Sequence, residues 1–117
     1  MKLKKVKELL QADILTTGLL WEDVEVETAC GADLMSDVLA FAKEKSLLLT
    51  GLIYPQVIRT SEMLDIKAIV FVRGKIPPRE VVKLASEQGL PLLATKLPMY
   101  QACGYLYKEG LGEEAKQ

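Results

Sequence analysis

The chain contains no histidine. Its absence removes the Ser-His and Cys-His pairs of nucleophilic catalysis and every imidazole ligand to a metal. Cysteine is scarce: Cys30 and Cys103 stand alone and far apart, which excludes the Cys-x-x-Cys spacing of redox and zinc sites. Two such residues fit free, mostly buried thiols in a reducing compartment. Aromatic residues make up only 6% of the chain, and Trp21, Tyr54, Tyr100, Tyr105 and Tyr107 are too scattered to form a base-stacking platform. There is no basic excess either, because 15 Lys and Arg stand against 16 Asp and Glu. A dedicated nucleic-acid surface would show one. The cluster Lys2, Lys4, Lys5 and Lys7 is offset by Glu8 and Asp13 and is a solvated helix face. No apolar run approaches the ~20 residues of a membrane helix, and no apolar segment follows the charged N-terminus as a secretory signal would require. The expectation is a soluble, cytoplasmic protein that binds neither nucleic acid nor membrane.

What is present is a core. The chain has 117 residues, half of them hydrophobic, which fits one domain. Leu3, Val6, Leu9 and Leu10 share one face of an N-terminal helix. Ile14–Leu15 reads as a short strand closed by Thr-Thr-Gly. Val24, Val26 and Thr28 alternate with polar residues as a strand does, and Cys30-Gly31-Ala32-Asp33 is expected to break it. A helix follows, with Leu34, Val38, Leu39, Phe41 and Ala42 on its stripe and Asp33 or Ser36 as N-cap.

From Leu47 onward the pattern is regular. The runs "SLLLTGLI", "KAIVFVR" and "LPLLATK" are apolar without alternation, as strands covered on both faces are. Between and after them lie "YPQVIRTSEMLD", "PPREVVKLASEQG" and "PMYQACGYLYKEG", helices with proline near their starts and, for the last two, glycine past their ends. Strand and helix alternate at the spacing of β-α-β crossovers. The predicted fold is a three-layer α/β/α sandwich with a mainly parallel sheet. One domain should span residues 1–110, with 111–117 as a flexible tail.

Parallel sheets bind ligands beyond the carboxyl ends of their strands. That rule selects Cys30, Gly31, Asp33, Ser36, Asp37, Thr50, Gly51, Arg73, Gly74, Lys75, Thr95 and Lys96 as candidate site residues. Arg73-Gly74-Lys75 suggests a phosphate loop, but Ile76 follows where a Walker motif needs Ser or Thr, and Pro77 and Pro78 lack the N–H groups an anion would use. It reads better as a strand-to-helix turn. Asp33 and Asp37 stand one helical turn apart, a spacing open to acid–base or metal chemistry, but capping explains Asp33 as well. Cys30 before Gly31 is either a thiolate near a helix start or a small packed residue, and Cys103 is core packing. Tyr100 and Tyr107 lie seven apart on one helix face, at the edge of the core or at an interface. Neither a metal nor a cofactor is expected.

The stretch "AIVFVRGKIPPREVVKLASEQGLPLLATKLPMYQACGYLY" resembles the second half of DRTGG domains and the N-terminal domain of bacterial HPr kinase/phosphorylase. The residues that carry the likeness are Arg73-Gly74, Pro77-Pro78, Gly89-Leu90-Pro91 and Thr95-Lys96-Leu97, and upstream "ADLMSDVLAFAKEKSLLLTG". The signature that names the family would fall at Asp23 to Ala29, where "DVEVETA" keeps Asp23 but lacks the Arg and the paired glycines. The resemblance implies an α/β/α fold and a regulatory module, such as those beside CBS domains in nucleotide-regulated pyrophosphatases.

The first reading is therefore a non-catalytic regulatory or protein-interaction module, homo-oligomeric as a dimer. Its candidate partners are a nucleotide or phosphorylated metabolite and another protein. A small enzyme with a site at the strand ends and a purely structural partner protein are the alternatives.

Overall fold

Apolar strands that cannot face water on either side need a helical layer above and below, and the chain provides both. In a computed structural model, which describes residues 1–112, the elements run α1 (Leu3–Leu10), β1 (Asp13–Ile14), β2 (Thr28–Gly31), α2 (Met35–Phe41), β3 (Ser46–Thr50), α3 (Pro55–Met63), β4 (Ala68–Phe71), α4 (Arg79–Glu87), β5 (Leu92–Ala94) and α5 (Met99–Lys108). The strands form one sheet in the order β1-β5-β4-β3-β2. Strands β2 to β5 are parallel, and β1 joins β5 antiparallel through Asp13↔Ala94 and Ile14↔Leu93. The three-layer sandwich with a mainly parallel sheet is the fold predicted from the sequence.

The period-2 geometry of the strands divides the core in two. Leu47, Leu49, Val70 and Leu93 face the layer made by α1 and α5, where they meet Leu3, Val6, Leu10, Ala102 and Leu106. Leu48, Ile69, Phe71 and Leu92 face the opposite layer and meet Val38, Val57, Ile58, Val81 and Ala85 of α2, α3 and α4. Every residue of β3, β4 and β5 is buried, so both faces of these strands are sealed. Each buried Leu or Ile contributes on the order of 1.5–3 kcal/mol by leaving water. Because β2, β3, β4 and β5 are laid down in sequence order, the three crossover helices α2, α3 and α4 share one face. Helix α5 leaves β5 for the other face and packs beside α1.

Three local expectations need correction. The strand β2 covers Thr28–Gly31, not the stretch from Val24, and Cys30 and Gly31 lie inside it. Val24 and Val26 alternate for a different reason: their backbone serves the start of α1. The Leu3 N–H donates to the Val24 carbonyl at 2.8 Å, and the Val26 N–H to the Met1 carbonyl at 2.9 Å. Second, of the expected α2 stripe only Val38 is fully buried, while Leu34, Leu39 and Phe41 are exposed. Helix α2 sits at the end of its layer and has a helix neighbour, α3, on one side. Third, Leu111 is packed into the α1–α5 core and its N–H donates to the Leu106 carbonyl at 3.1 Å, so it belongs to the domain and not to a tail. Residues 113–117 of the expected tail lie outside the described residues.

One buried group is at odds with its surroundings. The Ser61 hydroxyl, fully buried in α3, has no hydrogen-bond partner among the described residues. A buried hydroxyl without a partner keeps its desolvation cost. Ser61→Ala should therefore raise unfolding stability by about 1 kcal/mol, measured as a higher urea midpoint with an unchanged m value. A lower midpoint would mean that the hydroxyl is satisfied in solution.

Candidate functional site

All four parallel strands end on the same rim, and one carboxylate ties three of the ends together. Asp33 follows β2. Its Oδ1 accepts the Gly51 N–H at 2.7 Å and the Thr50 hydroxyl at 3.2 Å, both at the end of β3. Its Oδ2 lies 3.6 Å from Nη2 of Arg73, just beyond β4. The Thr50 oxygen in turn accepts the Leu52 N–H at 3.1 Å. Asp33 is thus neither a helix cap nor a free acid, and α2 starts after Leu34 without a side-chain cap from Asp33 or Ser36. The ion pair is half-exposed, so its Coulomb part is worth less than about 1 kcal/mol. The backbone N–H bond to the charged oxygen is the stronger contact.

Arg73 reaches Asp33 because its backbone is bent to do so. It adopts φ +60°, a left-handed conformation uncommon for a residue with a side chain, and Gly74 follows at φ +71°. Hydrogen bonds to the next strand hold this turn: Arg73 N–H to the Leu97 carbonyl at 2.8 Å, and Gly74 N–H to the Thr95 carbonyl at 3.0 Å. The guanidinium then lies close against Gly51, where a Cβ would sit 2.1 Å from Nη2.

Of the candidate residues, Asp33, Thr50, Gly51 and Arg73 therefore form one cluster. Gly74 and Thr95 meet across the neighbouring turn, but the Thr95 hydroxyl is buried, donating to the Leu10 carbonyl at 2.7 Å and accepting the Leu97 N–H at 3.2 Å. Ser36, Asp37 and Lys75 are exposed and take no part in the Asp33 cluster. Cys30 and Gly31 sit within β2, short of the rim. Burial pushes the Cys30 thiol above its ordinary value, and the Asp37 carboxylate adds to this. Burial also raises the Cys103 thiol, with Cys30 a smaller cause. Neither has the lowered pKa of an activated nucleophile. Among the described residues no group of three or more Cys, Asp and Glu is placed to hold a metal ion.

The sequence did not reveal a second feature of the rim. Helix α4 leaves β4 for one face of the sheet and α5 leaves β5 for the other, so the two connections part. Between them and the start of β1 lies a cleft of about 450 Å³, lined among others by Gln11, Asp13, Gly74, Ile76, Lys96 and Leu97. This is where the strand-end rule places ligands. Gln11 and Asp13 reach it only because β1 runs antiparallel beside β5, a pairing across about eighty residues that no local pattern announces. A groove of about 530 Å³ lies elsewhere, between β2 and α5. There Gly31 lets α5 come close: a Cβ on it would stand 2.8 Å from Cys103 Sγ and 3.1 Å from Met99 Sδ.

No known protein-family profile matches the chain, and no curated protein matches it. Solved structures do. A crystal structure of the CBS and DRTGG domains of the regulatory region of Clostridium perfringens pyrophosphatase, complexed with its activator diadenosine tetraphosphate, aligns over 90% of this chain with a TM-score of 0.74 and 14% identity. The fold is DRTGG-like. The aligned part is 45% of that regulatory chain, so the present chain spans less than half of it. The DRTGG-like fold gives the degenerate stretch Asp23 to Ala29 a place. Asp23 pairs with Lys2 at 3.3 Å, beside the start of α1. Most of the stretch precedes β2 and so lies at the opposite end of the sheet from the rim.

Two outcomes follow for the site. Gly51 is not in the left-handed region, so Gly51→Ala should fold, and its Cβ should push the Arg73 guanidinium away from Asp33. Stability should change by less than about 1 kcal/mol, and a crystal structure of the variant should show the ion pair open; an intact pair would refute the packing of Arg73 on Gly51. Because both thiols are raised in the folded state, their contribution to stability is complete below the ordinary thiol value of 9.0 and is lost as pH climbs through the raised folded values. Urea midpoints should fall above pH 9, and the fall should be smaller in a Cys30→Ser, Cys103→Ser double variant.

Proposed function

We propose that this chain is a non-catalytic regulatory domain of the DRTGG type that senses a nucleotide or another phosphorylated metabolite and acts in the cytoplasm as a homo-oligomer, a dimer. The observation that carries the ligand part is the cleft where the β4 and β5 connections part. Its groups suit a nucleotide. Lys96 is exposed at its wall and offers a cation to phosphate oxygens. Gly74 has no neighbour within 4 Å of where a Cβ would be, so a ligand can lie against its backbone. Ile76 and Leu97 give apolar surface for a base, and Asp13 an acceptor for ribose hydroxyls. The solved regulatory region, 45% of which aligns with this chain, is complexed with a dinucleotide activator, which supports this ligand class.

The same turn supplies a route for the signal. Gly74 follows Arg73, and Arg73 reaches the Asp33–Gly51 joint from which α2 and α3 depart. A ligand seated on Gly74 bears on that joint. The non-catalytic reading draws on two observations: the rim carboxylate and guanidinium bind each other, and both thiols, which lie away from the rim, are raised.

The test is calorimetric and thermal titration of the full chain with AMP, ATP and diadenosine tetraphosphate. A ligand at a hundred times its Kd adds about 2.7 kcal/mol, which for a domain of this size raises Tm by about 10 °C. Lys96→Glu should weaken binding at least about tenfold, or 1.4 kcal/mol, with Tm of the free protein unchanged. No shift with any nucleotide would remove the ligand part and leave a protein-interaction role.

A further inference from the structure

We propose that two copies of this chain meet along β2, each β2 pairing antiparallel with that of its partner about a twofold axis. This deepens the dimer reading above by naming its surface. Strand β2 is bonded to β3 on one side and lies at the end of the sheet, so among the described residues its outer-edge N–H and C=O groups have no strand partner. Protective features of edge strands are missing: Thr28-Ala29-Cys30-Gly31 carries no charge and no proline. Ala29 and Gly31 are exposed.

Both helices that flank this edge are apolar on the outside. Helix α5 packs over β2 and β3, and α2 ends the opposite layer. Tyr100, 88% exposed, and Tyr107, 66% exposed, line the groove with Thr28, Ala29 and Gly31. At ~200 Å² per ring the two offer about 300 Å², more than a third of the ~800 Å² each partner gives to a standard interface. Among the described residues, the 530 Å³ groove between β2 and α5 is open beside Gly104, whose Cβ position has no neighbour within 4 Å, and it can receive a tyrosine ring.

The charges at this edge are compatible with a second copy. The β2 strand is bounded by an ion pair at each end, Glu27–Lys45 at 3.3 Å and Asp33–Arg73 at 3.6 Å. A twofold axis through the strand sets one neutral pair against the other, so the patch meets itself without like-charge repulsion. The result is one ten-stranded sheet from two five-stranded ones.

Sedimentation of the full chain at about 100 µM, well above a micromolar Kd, should show a species of twice the chain mass. Ala29→Lys and Ala29→Glu each place like charges across the axis and should each weaken dimerisation at least about tenfold; mixing the two should restore the dimer. Tyr107→Glu, on an exposed face of α5, should also give monomer with unchanged circular dichroism. A monomeric wild type, variants that remain dimeric, or no recovery on mixing would each overturn the proposal. The nucleotide-induced Tm shift of Ala29→Lys separates this outcome from the ligand reading, since the cleft lies at the far side of the sheet.

Discussion

The constraint on which the rest depends is that β3, β4 and β5 are apolar on both faces. Leu47 and Leu49 point one way and Leu48 the other, as do Val70 against Ile69 and Phe71. Such strands are stable only between two helical layers. Three crossover helices fall on one face because the strands are laid down in order, and so the second face falls to α1 and α5. The parting of β4 and β5 connections, and hence the cleft, is a consequence of that division of labour. It would not exist if α5 followed its predecessors to their side.

The rim is organised by polar contacts too exposed to stabilise the fold strongly, and their role is positional. Asp33 fixes the ends of β2 and β3 by a backbone N–H and holds Arg73 from β4. The left-handed backbone at Arg73 carries a cost of roughly 1–3 kcal/mol that the surrounding hydrogen bonds must offset. The Arg73-Gly74 turn is fastened to Leu97 and Thr95 by main-chain bonds. What the sequence presents as a phosphate-loop remnant is in physical terms a hinge-like junction between adjacent loops.

The central fold was legible because its signals are local. Unbroken apolar runs at β3, β4 and β5, with Pro and Gly bracketing α4, are properties of neighbouring residues. Errors arose where a residue serves a distant partner. Val24 and Val26 alternate as a strand does, yet their backbone pairs with the start of α1. Leu34 and Phe41 match a helical stripe but stand at the end of a layer, where none of the described residues covers them. Asp33 looked like a cap, and its partners Gly51 and Arg73 lie 18 and 40 residues away. Within the candidate site, Asp33, Thr50, Gly51 and Arg73 were on the sequence's own list. Gln11 and Asp13 were not, because only the antiparallel return of β1 brings them to the cleft.

The two faces of the sheet also differ in when they become available. The layer formed by α2, α3 and α4 packs residues between Val38 and Leu92 and is encoded without interruption. The layer formed by α1 and α5 joins Leu3 to Leu111, and the buried hydroxyl of Thr95 closes on a carbonyl 85 residues earlier. On a ribosome, all of the first layer has been made while the α1 face still awaits its cover. Leu3, Val6 and Leu10 are made before every strand they cover and before α5, the helix they pack beside.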